Sequence, residues 1–177
     1  MTGFSLRRFT AAGLVLLPLA STAAAQGAPV AQGKCPGLDV HVLSAERATS
    51  WAGAGRGGFS FSTAPTGREF LILKFELQLA DSNAYPPLPY THIADQRDTL
   101  FSNSGGGART ESRTRFSVEH FYSVPAGTAA KALVLGQFVR AADAPPDQRP
   151  EWKTYCRVDL RRVNFASPPK PEKAPPG

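Results

Sequence analysis

Phe70-Leu71-Ile72-Leu73-Lys74-Phe75-Glu76-Leu77-Gln78-Leu79-Ala80 is the stretch on which the fold turns. Leu71, Leu73, Phe75, Leu77 and Leu79 fall on one phase of a two-residue repeat, and Phe70, Ile72, Lys74, Glu76 and Gln78 on the other. Side chains alternate across a strand but spiral around a helix, so five apolar residues at period two define a strand. The apolar row predicts a central strand of the core. The opposite row mixes Phe70 and Ile72 with charged and polar residues, which predicts an outer face covered at one end and solvated at the other.

The same alternation recurs on both sides. Leu38, Val40 and Val42 share a phase against Asp39 and His41, and Phe59 and Phe61 alternate with serines. Tyr90 to Ile93 and Thr99 to Phe101 read as short strands around the turn Asp95-Gln96-Arg97-Asp98. Phe116, Val118, His120, Tyr122 and Val124 keep period two up to Pro125-Ala126-Gly127. Ala132 to Arg140 reads as a further strand, and Thr154, Cys156, Val158 and Leu160 form one face of the last.

Between these runs, glycine, proline and serine predict loops at residues 52–58, 81–90, 102–113 and 144–150. Residues 26–34 read as a flexible lead-in, and residues 166–177 as a Pro/Lys-rich disordered tail. No stretch after the first 25 residues shows a helical period. Seven or eight short strands with this punctuation predict an antiparallel β-sandwich over residues 35–165.

The first residues predict destination. Arg7 and Arg8 precede an apolar run from Ala11 to Ala20 and then Ala23-Ala24-Ala25, the order of charge, apolar core and small-residue site found in signal peptides. The run falls short of the roughly 20 apolar residues that span a bilayer, so it predicts no transmembrane anchor. Arg7-Arg8-Phe9 also resembles a twin-arginine signal, although Phe9 follows without the usual intervening residue. Cys35 lies too far beyond the run, behind Lys34, to be a lipoprotein anchor. The expected localisation is therefore periplasmic or extracellular.

Of the net charge of +6, Arg7 and Arg8 account for +2, leaving +4 on the mature chain. That charge is mild, and the dense basic stripe of a nucleic-acid binder is missing from the sequence. Cys35 and Cys156 are the two cysteines, and an even pair in an oxidising compartment predicts a disulfide.

Four segments carry a family resemblance: Val40-His41-Val42-Leu43-Ser44-Ala45-Glu46, Gly67 through Leu77, Ile93 through Phe101, and Phe121 through Gly127. Together, over roughly residues 38–140, they resemble the immunoglobulin-like sandwich domains of secreted bacterial proteins of the immunoprotective extracellular type. In those domains G-x-x-F opens the central strand, D-x-x-G-x-x-Y marks a hairpin and V-P-x-G closes a later strand. Here Asp98 stands where glycine is usual and Phe101 where tyrosine is usual. The resemblance implies an immunoglobulin-like fold and carries no activity, cofactor or catalytic residue with it.

Candidate sites are few. His41, His92 and His120 are too far apart for a local metal motif, and neither cysteine has a second ligand nearby. His92 with Asp95 and Asp98 is the best metal-like grouping, but acids in a tight turn are ordinary turn chemistry, and no metal is expected. His120 falls on the inward phase and is expected to be half-buried and hydrogen-bonded. No G-x-S-x-G elbow is present, and Gly105-Gly106-Gly107 lacks the Lys-Ser/Thr of a phosphate loop, so neither catalytic residues nor a cofactor are predicted.

The best binding candidates are Arg97, Arg109, Arg113 and Arg115 with Tyr85 and Tyr90, since arginines and aromatics on loops suit carboxylate-bearing or glycan partners. The leading expectation is a non-catalytic binding or accessory module of the bacterial cell envelope that contacts an envelope protein or glycan. An enzyme with a site assembled across strands, or a carrier of a small ligand or metal, are the alternatives. The leader reading makes a direct prediction: intact mass of the protein recovered from an exporting host should correspond to a chain beginning at Gln26. A chain retaining the first 25 residues would refute the export reading.

Overall fold

The computed structural model describes residues 28–55, 58–81, 89–140, 145 and 147–167. The leader, Tyr85 and the tail from residue 168 onward lie outside the described residues. Eleven strands follow one another among the described residues. They are β1 (Ala31–Cys35), β2 (Leu38–Ala48), β3 (Ser50–Gly55), β4 (Gly58–Thr63), β5 (Arg68–Leu79), β6 (Tyr90–Asp95), β7 (Leu100–Ser102), β8 (Gly105–Thr110), β9 (Arg115–Pro125), β10 (Ala130–Val139) and β11 (Glu151–Asp159).

One sheet runs β1-β2-β5-β9-β8, a second runs β11-β10-β6-β7, and β3 and β4 form a separate hairpin. Every strand pairing is antiparallel. With β1 and the hairpin set aside, the orders β2-β5-β9-β8 and β11-β10-β6-β7 correspond to A-B-E-D and G-F-C-C′ of an immunoglobulin-like sandwich. The chain crosses between sheets after β5, after β7 and after β9.

The predicted core strand is β5, in the middle of the five-stranded sheet. Its inner row is almost completely removed from water and packs with Val40, Val42, Val118 and Tyr122 against Ile93, Leu133, Leu135 and Val158 of the facing sheet. Burying each such aliphatic side chain is worth about 1.5–3 kcal/mol, so this layer dominates the cohesion of the two sheets. The outer row is covered at one end as expected, but the other end is only partly solvated, since Glu76 is buried at 8% exposure. Phe70 and Ile72 are buried with Phe121 beneath Trp51 of the hairpin, while Lys74 is exposed.

Three segments expected to be irregular are strands. Residues 31–34 of the lead-in belong to β1, residues 52–55 to β3 and residues 105–110 to β8. These stretches have few side chains of their own to bury, so no alternation marks them. Rings and backbone from neighbours supply the packing instead. The Phe121 ring lies so close over Gly105 that a Cβ there would meet it at 2.5 Å. Gly106, at φ 128°, approaches the Glu119 carbonyl more closely than any side chain would allow. The Trp51 indole covers Gly53 in the same way.

The β6–β7 turn accounts for the unusual Asp98. Asp95 Oδ1 accepts hydrogen bonds from the amides of Arg97 and Thr99, each at 2.8 Å. Asp98 sits at φ 62°, the left-handed region that glycine favours and aspartate tolerates. Its carboxylate accepts from Lys131 and Arg157 at 2.6 Å, and these hydrogen bonds hold its pKa below the usual carboxylate value. An aspartate here keeps the turn and adds an anchor to β10 and β11.

Beyond β11 the chain returns to β2, where Ala166 bridges Glu46 in parallel. Arg47 pairs with Glu69, donates to the Thr128 carbonyl at 2.6 Å and lies over the Phe165 ring. The predicted disulfide joins Cys35 on edge strand β1 to Cys156 on edge strand β11, with Cα atoms 5.4 Å apart. It therefore ties the two sheets together along one open side, across 121 residues of sequence. Cross-linking a loop of that length restricts the unfolded chain by about 4–5 kcal/mol in the chain-entropy treatment. The double variant Cys35→Ala/Cys156→Ala should lose stability of that order in urea unfolding, and a loss below about 1 kcal/mol would contradict that role for the bond.

Candidate functional site

One end of the sandwich gathers the β5–β6 connection, the β10–β11 connection and the β8–β9 turn. Its position follows from register. Gln78 pairs with Arg115, and the Leu79 amide donates to the Thr114 carbonyl at 2.7 Å, which brings the β8–β9 turn to the end of β5. Tyr90 at the start of β6 pairs with Gly136 near the end of β10. In immunoglobulin-like domains the B–C and F–G connections share an end, as they do here.

On the outer face of the four-stranded sheet at this end lies an aromatic strip. Tyr90 and Phe138 have ring centroids 5.3 Å apart, Phe138 and Trp152 5.3 Å, and Trp152 and His92 4.2 Å. A register shift between Leu135 and Gly136 leaves Tyr155 unpaired on β11. The shift sets Trp152 opposite Phe138, while Cys156 remains opposite Leu135. The indole covers Gly136, where a Cβ would stand 2.5 Å from its Cζ2. Ala94, Ala132 and Val134 form a floor of small buried side chains beside it. Tyr90 remains 60% exposed and Phe138 49%, so the strip is open at its outer edge. His92 is buried beneath it with Nδ1 unpartnered, and burial lowers its pKa.

Behind Tyr90, between the sheets, a slot of 180 Å³ opens beside the short strand β7. Phe75, Leu77 and Val118 form its apolar floor, Thr91 and His120 are its inner polar members, and Pro89, Tyr90, Asn103 and Ala108 stand at its rim. Tyr122, fully buried, donates its hydroxyl to Thr91 Oγ1 at 2.8 Å. Thr91 Oγ1 lies 2.8 Å from His120 Nδ1. A buried hydroxyl needs an acceptor for its proton, so this network assigns the Thr91 proton to Nδ1 and the imidazole proton to Nε2. Burial pushes the His120 pKa down to about 4, so the ring is neutral at physiological pH. Tyr122 is shifted upward, chiefly by burial, and stays protonated.

The residues singled out from sequence fall in different places. Arg113 and Arg115 lie at the end just described, Arg113 in the β8–β9 turn and Arg115 at the start of β9. Arg109 is on β8 and pairs with Glu111 at 3.5 Å, while Arg115 pairs with the largely buried Glu76 at 3.3 Å. Arg97 is in the β6–β7 turn at the opposite end of the sandwich, so the four arginines do not form one patch. Tyr90 takes part in the aromatic strip. His120 is half-buried and hydrogen-bonded, as its phase predicts. His92, Asp95 and Asp98 do not converge, and no group of three or more His, Cys, Asp or Glu converges among the described residues.

Phe138 and Trp152 were missed in the sequence. Trp152 precedes the register shift, so simple alternation along β11 places it on the wrong face. The β3–β4 hairpin carries another exposed pair, Phe59 and Phe61.

No protein-family profile and no curated protein matches this chain. A crystal structure of an uncharacterized beta-sandwich protein from Clostridium difficile 630 is similar at a TM-score of 0.36 and 7% identity. The similarity covers 70% of this chain and 88% of that one.

The environment of His120 has a consequence for stability. Between its unfolded value of 6.5 and the folded value of about 4, the unfolded chain binds a proton that the native protein refuses. The stabilisation is therefore complete above the unfolded value and is lost as pH falls toward the folded one. The shift corresponds to at most about 3 kcal/mol, with His92 acting in the same direction. Urea unfolding at about pH 7 and about pH 4.5 should show a larger acid loss for the wild type than for His120→Gln. Equal losses would contradict this assignment.

Proposed function

We propose that this protein is an exported, non-catalytic immunoglobulin-like module that binds a protein or glycan of the bacterial cell envelope. The observation that carries the reading is the aromatic strip Tyr90–Phe138–Trp152, in which Tyr90 and Phe138 are exposed. Two large apolar side chains standing in water on a regular sheet gain most when another surface covers them, and aromatic residues are enriched where proteins meet partners. Gly136 supports the reading, since it provides the room in which Trp152 lies against the sheet. Arg113, in the β8–β9 turn, stands at the same end of the sandwich, while Arg115 is engaged by Glu76 on the outer face of the five-stranded sheet.

The disulfide is compatible with export, and no helix among the described residues is long and apolar enough to cross a membrane.

The test is capture from native envelope extract, with eluates read by mass spectrometry and glycan analysis. Wild type should retain a partner at high salt, because apolar contact is not screened. Tyr90→Ser/Phe138→Ser should lose it, and Arg113→Ala should weaken it and reduce its salt dependence. Equal retention by the aromatic variant and wild type would overturn the reading.

A further inference from the structure

We propose that the slot between the sheets is a binding site for a neutral, single-ring molecule carrying a hydrogen-bond-accepting oxygen. This goes beyond the envelope-binding reading and does not depend on it: the slot faces the interior of the sandwich and the aromatic strip lies on the outer face, with Tyr90 alone shared at the mouth.

Volume sets the size of the ligand. At 180 Å³ the slot is close to the cavity of about 150 Å³ that holds a benzene ring in an engineered protein, and it is too small for an oligosaccharide or a peptide segment. The walls set its character. Phe75, Leu77 and Val118 are apolar and belong to the rigid core strands β5 and β9.

The imidazole sets its chemistry, because the group it leaves free is a donor. Nδ1 of His120 is occupied by Thr91, which leaves the Nε2 proton as the imidazole's free donor. Asn103, exposed at the rim, uses Oδ1 to accept from the Gly105 amide at 2.6 Å. A ligand that meets this donor needs an acceptor, such as a phenol, ketone or ether oxygen. It also needs to be neutral. No lysine or arginine lines the slot, and an anion would have to shed its hydration without a counter-charge.

The inner arrangement is pre-set before any ligand enters. Tyr122 orients Thr91, Thr91 orients His120, and both hydrogen bonds are made between strands of opposite sheets. Binding therefore needs little reordering of protein groups.

NMR titration of the disulfide-bonded protein with p-cresol, toluene and p-toluate tests the proposal. Before any addition, the imidazole nitrogens of His120 should report the Nε2–H tautomer. p-Cresol should then shift the His120 ring and the Thr91 methyl signals saturably in the millimolar range. Toluene has the ring but lacks the acceptor, and it should bind roughly fivefold to tenfold more weakly, the worth of one hydrogen bond. p-Toluate at neutral pH should bind more weakly than toluene. Val118→Phe, which fills the slot, should abolish the shifts; should that variant fail to fold, the wild-type titrations decide alone. An Nδ1–H tautomer, unresponsive His120 and Thr91 signals, or p-toluate binding as tightly as p-cresol would each overturn the proposal. None of these outcomes bears on whether the aromatic strip binds an envelope partner.

Discussion

Register on β5 is the constraint from which the rest follows. A slip of one residue would carry Leu71, Leu73, Phe75, Leu77 and Leu79 into water and turn Lys74 and Glu76 inward. Because β5 lies between β2 and β9, its register sets theirs. Leu71 opposite Tyr122 and Leu77 opposite Phe116 place the whole inner row of β9, including His120, against the second sheet. The Tyr122–Thr91–His120 network then closes across the sandwich at a position decided by leucines some distance away in sequence. Leucine burial supplies the energy of that register, and the polar network inside it is satisfied only when the register is correct.

The two sheets are held at their margins by different means. On the β1/β11 side a covalent bond joins them, and the inner faces close over Val158 and Leu160. On the β7/β8 side β7 has three residues and β8 is rich in glycine, so fewer side chains fill the space between the layers. The slot thus lies at the margin where fewer side chains fill the space between the sheets.

Glycine and aromatic residues are paired throughout the molecule. Trp51 covers Gly53, Phe121 covers Gly105 and Trp152 covers Gly136. In each case a ring from the same or a neighbouring strand occupies the place of a missing side chain, which compensates for the weak intrinsic preference of glycine for strands. Glycine-rich composition then ceases to distinguish a loop from a strand. Residues 52–55 and 105–107 look irregular one at a time and become regular only beside the rings that cover them. The same pairing explains why Trp152 escaped notice: its ring is directed by a register shift and a glycine on the next strand.

What the sequence determined by itself was the inward phase of β5 and β9, while the register shift beside β11 turned Trp152 and Thr154 to the other face from the one alternation assigns. Period two in β5 and β9 assigned inside and outside residue by residue, including His120, because alternation is a local property of the extended backbone. It also foresaw the all-β sandwich and the pairing of two cysteines. Tertiary structure alone decided which glycine-rich segments joined the sheets, which rings covered them and where the arginines stood. Arg97 and Arg115 are only eighteen positions apart yet lie at opposite ends, because two strands and a sheet crossing intervene. The aromatic strip and the slot also belong to this second class. Each is assembled from residues on several strands, and such neighbours are set by pairing and by the crossings between sheets, which the local pattern of a single strand does not encode.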